Sequence, residues 1–196
     1  MKAIFFLSAT MLILGSACNS NNAKNEHDGH NMDTVNNEEV SENEAIKTAT
    51  VQIQAKSGSR VNGDVTFIES NGVVTMTVNL KNIAPGKHAI HIHEIGDCSS
   101  EDGKSAGGHW NPTNVAHGKW DSGSFHLGDI GNIVAGKDST ATFTRETNLW
   151  NIDGSDKSRN IIGKAIIVHE GEDDFTTQPS GKAGARIACG EIVRTQ

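Results

Sequence analysis

The stretch that decides the fold is "DVTFIESNGVVTMTVNL", residues 64–80. Apolar side chains recur at every second position in both arms: Val65 and Phe67 in the first, Val74, Met76, Val78 and Leu80 in the second. A period of two lines such residues along one face of a β-strand, whereas a helix would need them three or four apart. Between the arms stands Asn71-Gly72, a dipeptide that accepts the positive φ angles of a tight turn, so the stretch reads as a β-hairpin.

The same period continues on both sides. In "TVQIQA", residues 50–55, Val51, Ile53 and Ala55 share one face and Thr50, Gln52 and Gln54 the other. Further strands are expected in "HAIHIH" (88–93), "TATFTRE" (140–146), "KAIIVHE" (164–170) and "RIACGEIVR" (186–194). No stretch sustains a helical period. The domain is therefore expected to be all-β, a sandwich or barrel of about eight short strands, and the 21 glycines fit a fold with many turns. Two connections, 96–128 and 170–185, are too long for hairpins, and long ordered loops in a compact domain usually carry function.

The domain does not need the whole chain of 196 residues. Residues 1–18 hold a lysine, the apolar run "AIFFLSATMLILG" and small residues before Cys18. This is the pattern of a secretory signal peptide, too short to span a membrane, and the cysteine suggests lipoprotein processing with Cys18 as the acylated first residue of the mature chain. Residues 19–47, rich in Asn and acid and poor in large apolar side chains, read as a disordered tether. The domain itself, 48–196, holds 17 acidic against 14 basic residues, a formal charge of −3, and nothing in it is basic enough for a nucleic-acid partner. With Cys18 assigned to processing, Cys98 and Cys189 remain, and in an exported protein they are expected to form a disulfide. Its loop of about 90 residues would be worth roughly 4–5 kcal/mol by the chain-entropy estimate. The expected location is extracytoplasmic, in the periplasm or cell envelope, with a lipid anchor as the sole membrane contact.

Seven of the nine histidines fall in the domain, at or beside the two long loops. Alternation places His91 and His93 on one strand face, opposite Ile90 and Ile92, where they suit a shared metal ion. His88 has the other parity and is expected to hydrogen-bond structurally without ligating. "SAGGHWNPTNVAHG" and "GSFHLGDIGN" supply His109, His117, His126 and Asp129, three imidazoles and a carboxylate, which make a complete tetrahedral set for Zn²⁺. His169, ending "KAIIVHE", offers a third imidazole to the His91 and His93 site, a nitrogen-rich set that suits copper.

Taken together, "GKHAIHIHEIGDCS", "SAGGHWNP", "HGKWDSGSFHLGDIGN", "IIVHEGEDDF" and "GKAGARIACG" run in one order over about 150 residues. The domain they define resembles the copper/zinc superoxide dismutases of the bacterial secreted type. That resemblance implies an eight-stranded Greek-key barrel or sandwich, immunoglobulin-like, with two functional loops. It implies one copper and one zinc per subunit, superoxide as substrate, and an antioxidant enzyme in which copper cycles between two oxidation states. It makes His91, His93, His109 and His169 the copper ligands, and His117, His126 and Asp129 the zinc ligands beside a bridging, catalytic His109. By the same resemblance Asp173 links a copper-bound and a zinc-bound histidine, and Arg186 stands over the copper and attracts the anion. Lys182 is a candidate second cation. The second loop is shorter than in the eukaryotic enzymes and lacks their steering cluster of acids and lysine, and Trp110 replaces the commoner phenylalanine as a packing residue. The alternative is an extracytoplasmic protein of the same fold that sequesters copper without turnover. The sequence leaves monomer and homodimer open, and the tether histidines His27 and His30 read as linker.

Overall fold

The computed structural model describes residues 45–196; the expected signal peptide, the lipidation site Cys18 and the tether up to residue 44 lie outside the described residues. Nine strands follow one another: β1 (Lys47–Ala55), β2 (Asn62–Ser70), β3 (Val73–Lys81), β4 (Gly86–His93), β5 (Gly131–Ala135), β6 (Thr140–Thr147), β7 (Ala165–His169), β8 (Arg186–Glu191) and the two-residue β9 (Val193–Arg194). Eight of them form one antiparallel path, β5-β4-β7-β8-β1-β2-β3-β6, with β9 paired to β1, which gives a nearly closed barrel. The chain crosses from β3 to β4 through residues 82–85 without pairing the two strands, the crossover between non-adjacent strands that marks a Greek key.

The hairpin forms as the sequence predicts. Ser70 pairs with Val73, and Asn71 and Gly72 both take positive φ, 52° and 72°, the two-residue turn that matches strand twist. Val65, Phe67, Val74, Met76, Val78 and Leu80 all point into the core. There they meet Val51 and Ile53 of β1, Ile90 and Ile92 of β4, and Ile166 and Val168 of β7. Trp150 packs edge-on against Phe67 at 6.1 Å, and its indole N–H donates to the Leu127 carbonyl at 2.9 Å.

Two details differ from expectation. Ala55 is exposed, because β1 leaves β2 after Ile53 and its last two residues pair with β8, at the strand's end. The other is β5, "GNIVA", five residues set between loops, too short for its alternation to be told from a turn.

β5 and β6 lie side by side without a ladder, and side chains close that seam. Arg145 of β6 donates from Nη2 to the Ile130 carbonyl at 2.9 Å, while its guanidinium stacks 4.5 Å from the Trp120 ring centre. A planar cation over an indole face is held by the ring quadrupole as well as by its hydrogen bond.

The Cys98–Cys189 disulfide joins the first long loop to β8, with Cα atoms 5.7 Å apart. Beneath it Ala106, Ala165, Ile167 and Cys189 form a small apolar cluster outside the barrel, so the loop is packed onto the outer face of β7. Cys98→Ser combined with Cys189→Ser is expected to lower the unfolding free energy of the metal-free protein by about 4 kcal/mol. A fall in the urea midpoint would report it; an unchanged midpoint would show that the loop is held without the bridge.

Candidate metal centre

Alternation along β4 sets the first two side chains. Ile90 and Ile92 enter the core, and His91 and His93 stand on the opposite face, buried because both long loops lie across it. β7 is the neighbour of β4 and ends in His169, which brings a third imidazole to the same place. The loop after β4 returns to the strand end: Trp110 N–H donates to the Ile92 carbonyl, Ile92 N–H to Gly128, and Gly128 N–H to Trp110. That exchange carries His109 to within 4.1 Å of His91, ring centre to ring centre. Trp110 is itself a buried packing residue, with the Lys164 ammonium 4.8 Å from its ring centre.

The donors fall into two groups, His91, His93, His109 and His169 in one and His109, His117, His126 and Asp129 in the other, with the ligand atoms of each within 4.8 Å of one another. His109 belongs to both. In the second group the Nδ1 atoms of His109, His117 and His126 approach the Asp129 carboxylate at 2.8, 3.0 and 3.1 Å.

The far side of every ring except that of His109 is anchored. His91 Nε2 donates to Asp173 Oδ2 and His117 Nε2 to Asp173 Oδ1, both at 2.9 Å. His93 Nδ1 donates to the Gly107 carbonyl, His169 Nδ1 to Gly184, and His126 Nε2 to Val115. A neutral imidazole that spends its N–H in this way turns a lone pair to the other side. Those other nitrogens, with Nε2 of the shared His109, are His91 Nδ1, His93 Nε2, His117 Nδ1, His126 Nδ1 and His169 Nε2; all six are buried and form no hydrogen bond, His117 Nδ1 and His126 Nδ1 facing the Asp129 carboxylate too far out of line for one. Leaving a buried polar atom unpaired costs about 1–3 kcal/mol. Two metal ions would satisfy all six, so the residues present fit one ion in each group. Four imidazoles suit copper, and three imidazoles with a carboxylate suit zinc.

Burial shapes the charge states in the same direction. It lowers the pKa of His91, holds that of His93 well below the usual value, and pushes His109 down to about 4 and His169 to about 3. These rings are neutral and able to ligate near pH 7. His117 is the exception: burial alone would lower it, but the two carboxylates that flank it, Asp129 and Asp173, prevail and raise it to about 9. Burial likewise opposes ionisation of Asp129 and Asp173, yet the histidines bonded to them hold both carboxyls well below the usual carboxylate range.

Arg186 begins β8 and is half-buried. Its Nη1 donates to the Gly103 carbonyl and its Nη2 to the Gly107 carbonyl, both at 2.8 Å, and its charge contributes to the lowered pKa of His93 and His169. Lys182 lies exposed in the second loop. His88, of the opposite parity, belongs to neither donor group; its Nδ1 meets the His169 carbonyl at 3.0 Å and its Nε2 the Ala84 carbonyl at 2.8 Å.

Sequence reasoning missed two contributors. One is the Gly107 carbonyl, shared by His93 and Arg186, a backbone acceptor that no side-chain motif announces. The other is Gly181, at φ +66°, where a Cβ would stand 1.8 Å from Asp173 Oδ1 and 2.7 Å from His117 Nε2. In the sequence it looks like any turn glycine. Gly181→Ala and Asp173→Asn are both expected to weaken metal retention by about 10–100-fold, the usual loss when a ligand's hydrogen-bond partner is disturbed. Metal analysis after dialysis against graded chelator would measure it, and full retention in both variants would remove Asp173 from the site.

The family description "Copper/zinc superoxide dismutase (SODC)" matches residues 61–192. The chain is 38% identical over 149 residues to the Superoxide dismutase (Cu-Zn) of Caulobacter vibrioides, covering 74% of this chain and 85% of that one. It is 34% identical over 163 residues to the Extracellular superoxide dismutase (Cu-Zn) of Brugia pahangi, covering 75% and 77%. Among solved structures, the crystal structure of the clock protein EA4 aligns with a TM-score of 0.66 and 29% identity, over 74% of this chain and 93% of that one. The matched segment runs from the start of the barrel's second strand past the end of its eighth and contains every donor of both groups, and the chain belongs to the copper/zinc superoxide dismutase family.

Proposed function

We infer that this chain disproportionates superoxide, so that two superoxide anions and two protons become one O₂ and one H₂O₂. The observation that carries this reading is the set of six buried imidazole nitrogens that form no hydrogen bond, divided between two donor groups that share His109. Copper held by His91, His93, His109 and His169 would supply one-electron redox chemistry, and zinc held by His109, His117, His126 and Asp129 would fix the geometry.

The chain's own residues account for the rest. A small anion must reach a protein whose domain carries a net negative formal charge, so positive charge has to be concentrated at the entrance. Arg186 provides it: its two hydrogen bonds to loop carbonyls hold the guanidinium beside His93 and His169. His109 is the proton carrier. Its Nδ1 lies in the zinc group, 2.8 Å from Asp129, while its Nε2 lies in the copper group and can hold a proton between the two half-reactions, then pass it to the reduced oxygen. Asp173, with one oxygen for each half of the centre, keeps His91 and His117 in register.

The reading extends to location. The disulfide fits an oxidising compartment, the apolar N-terminal run fits export, and a relative carries the name extracellular. The protein therefore acts outside the cytoplasm, in the periplasm or cell envelope, tethered by a lipid at Cys18. Mass analysis of the mature N-terminus would expose the anchor.

Protein reconstituted with copper and zinc should consume superoxide, and full metal loading without turnover would establish the copper-sequestering alternative. Arg186→Ala is expected to lower kcat/KM by about 10-fold or more and to flatten its dependence on ionic strength, since it removes the focusing charge. Stopped-flow decay of superoxide at several salt concentrations measures both.

A further inference from the structure

Residues 110–130 contain no strand or helix, yet this segment delivers His117, His126 and Asp129. With no ladder to fix its peptide groups, another device has to do so. Two carboxamide side chains fill that place and a third fixes the Asp173 peptide of the second loop, each bonded to both the N–H and the carbonyl of a single residue. Asn111 accepts from the Val115 N–H at 3.1 Å and donates to the Val115 carbonyl at 2.8 Å. Gln178 accepts from the His117 N–H and donates to the His117 carbonyl, both at 2.9 Å. Asn132 accepts from the Asp173 N–H at 2.8 Å and donates to the Asp173 carbonyl at 2.9 Å.

A carboxamide is the side-chain group that presents a strong acceptor and a strong donor side by side, as a peptide unit does in an antiparallel rung. Each clamp therefore acts as one rung of a sheet supplied by a side chain. The residues it holds all bear on the zinc group. The Val115 carbonyl receives His126 Nε2–H, His117 is itself a donor, and Asp173 receives His117 Nε2–H. Asn132 stands on β5, so its clamp ties the second loop to the barrel, while Gln178 reaches from the second loop to the first.

We propose that Asn111, Gln178 and Asn132 are positioning residues for the metal centre, Gln178 serving the zinc group alone and Asn132, through Asp173, serving both groups. The proposal rests on the metal assignment made above. Gln178 is exposed, so its substitution leaves the core untouched. Gln178→Glu keeps the shape but sets a carboxylate oxygen against the His117 carbonyl, removing one bond of the clamp and adding repulsion.

The test loads the full chain with copper and zinc, follows zinc transfer to pyridylazoresorcinol, and measures the copper that stays bound by atomic absorption. Gln178→Glu is expected to release zinc about 10-fold faster with copper loss unchanged, and Asn132→Asp to speed the loss of both metals. Zinc release at the unmodified rate in Gln178→Glu would overturn the proposal. So would equal acceleration of both metals by Gln178→Glu, which marks general loosening. If the unmodified chain takes up no zinc, the metal assignment itself fails and the clamps lose their object, a result distinct from either.

Discussion

A strand has two faces, and β4 has work for both. Ile90 and Ile92 are core residues, and their burial leaves His91 and His93 on the outside of the barrel. An imidazole pair held on an outer face becomes an enclosed site only if something covers it. The two long loops are that cover, and the disulfide, the outer apolar cluster on β7 and the exchange between Ile92, Trp110 and Gly128 are the means by which loops without regular structure are held against a sheet. The site is thus built on the barrel, and the barrel's interior stays a packed hydrocarbon core.

The same arrangement makes the metals part of the fold. Six buried nitrogens that form no hydrogen bond would cost about 1–3 kcal/mol each, comparable together with the whole net stability of a small domain. Coordination would turn that penalty into binding energy and so couple metal uptake to the stability of the loops that carry the donors. Burial contributes twice. It keeps most of the rings neutral, which ligation needs, and it excludes the water that would otherwise occupy their lone pairs.

Much of this was legible in the sequence because it is local. The hairpin at Asn71-Gly72, the facing of His91 and His93 and the contrary parity of His88 all follow from a period of two over a few residues. What the sequence hid is what depends on partners far along the chain. Ala55 is exposed because β1 changes partner, and no run of six residues records that. The seam between β5 and β6 is closed by Arg145 and Trp120, whose meeting is set by the whole barrel. Asn111, Asn132 and Gln178 look like ordinary loop amides until the backbone they hold is in view. Donor types with recognisable spacing can be read in advance; backbone acceptors and side chains that imitate peptide groups cannot.

The Gly107 carbonyl receives His93 Nδ1–H at 3.0 Å and Arg186 Nη2–H at 2.8 Å. On the proposed assignment, one peptide unit sets both the basicity of a ligand and the aim of the cation that would draw the substrate in. Rotating that peptide would alter the reduction potential of the metal and the capture of the anion at a single stroke. Tuning by small steps at this position is constrained to move along one line, in which electronic and electrostatic properties shift together, and a variant seeking to change one alone has to act elsewhere.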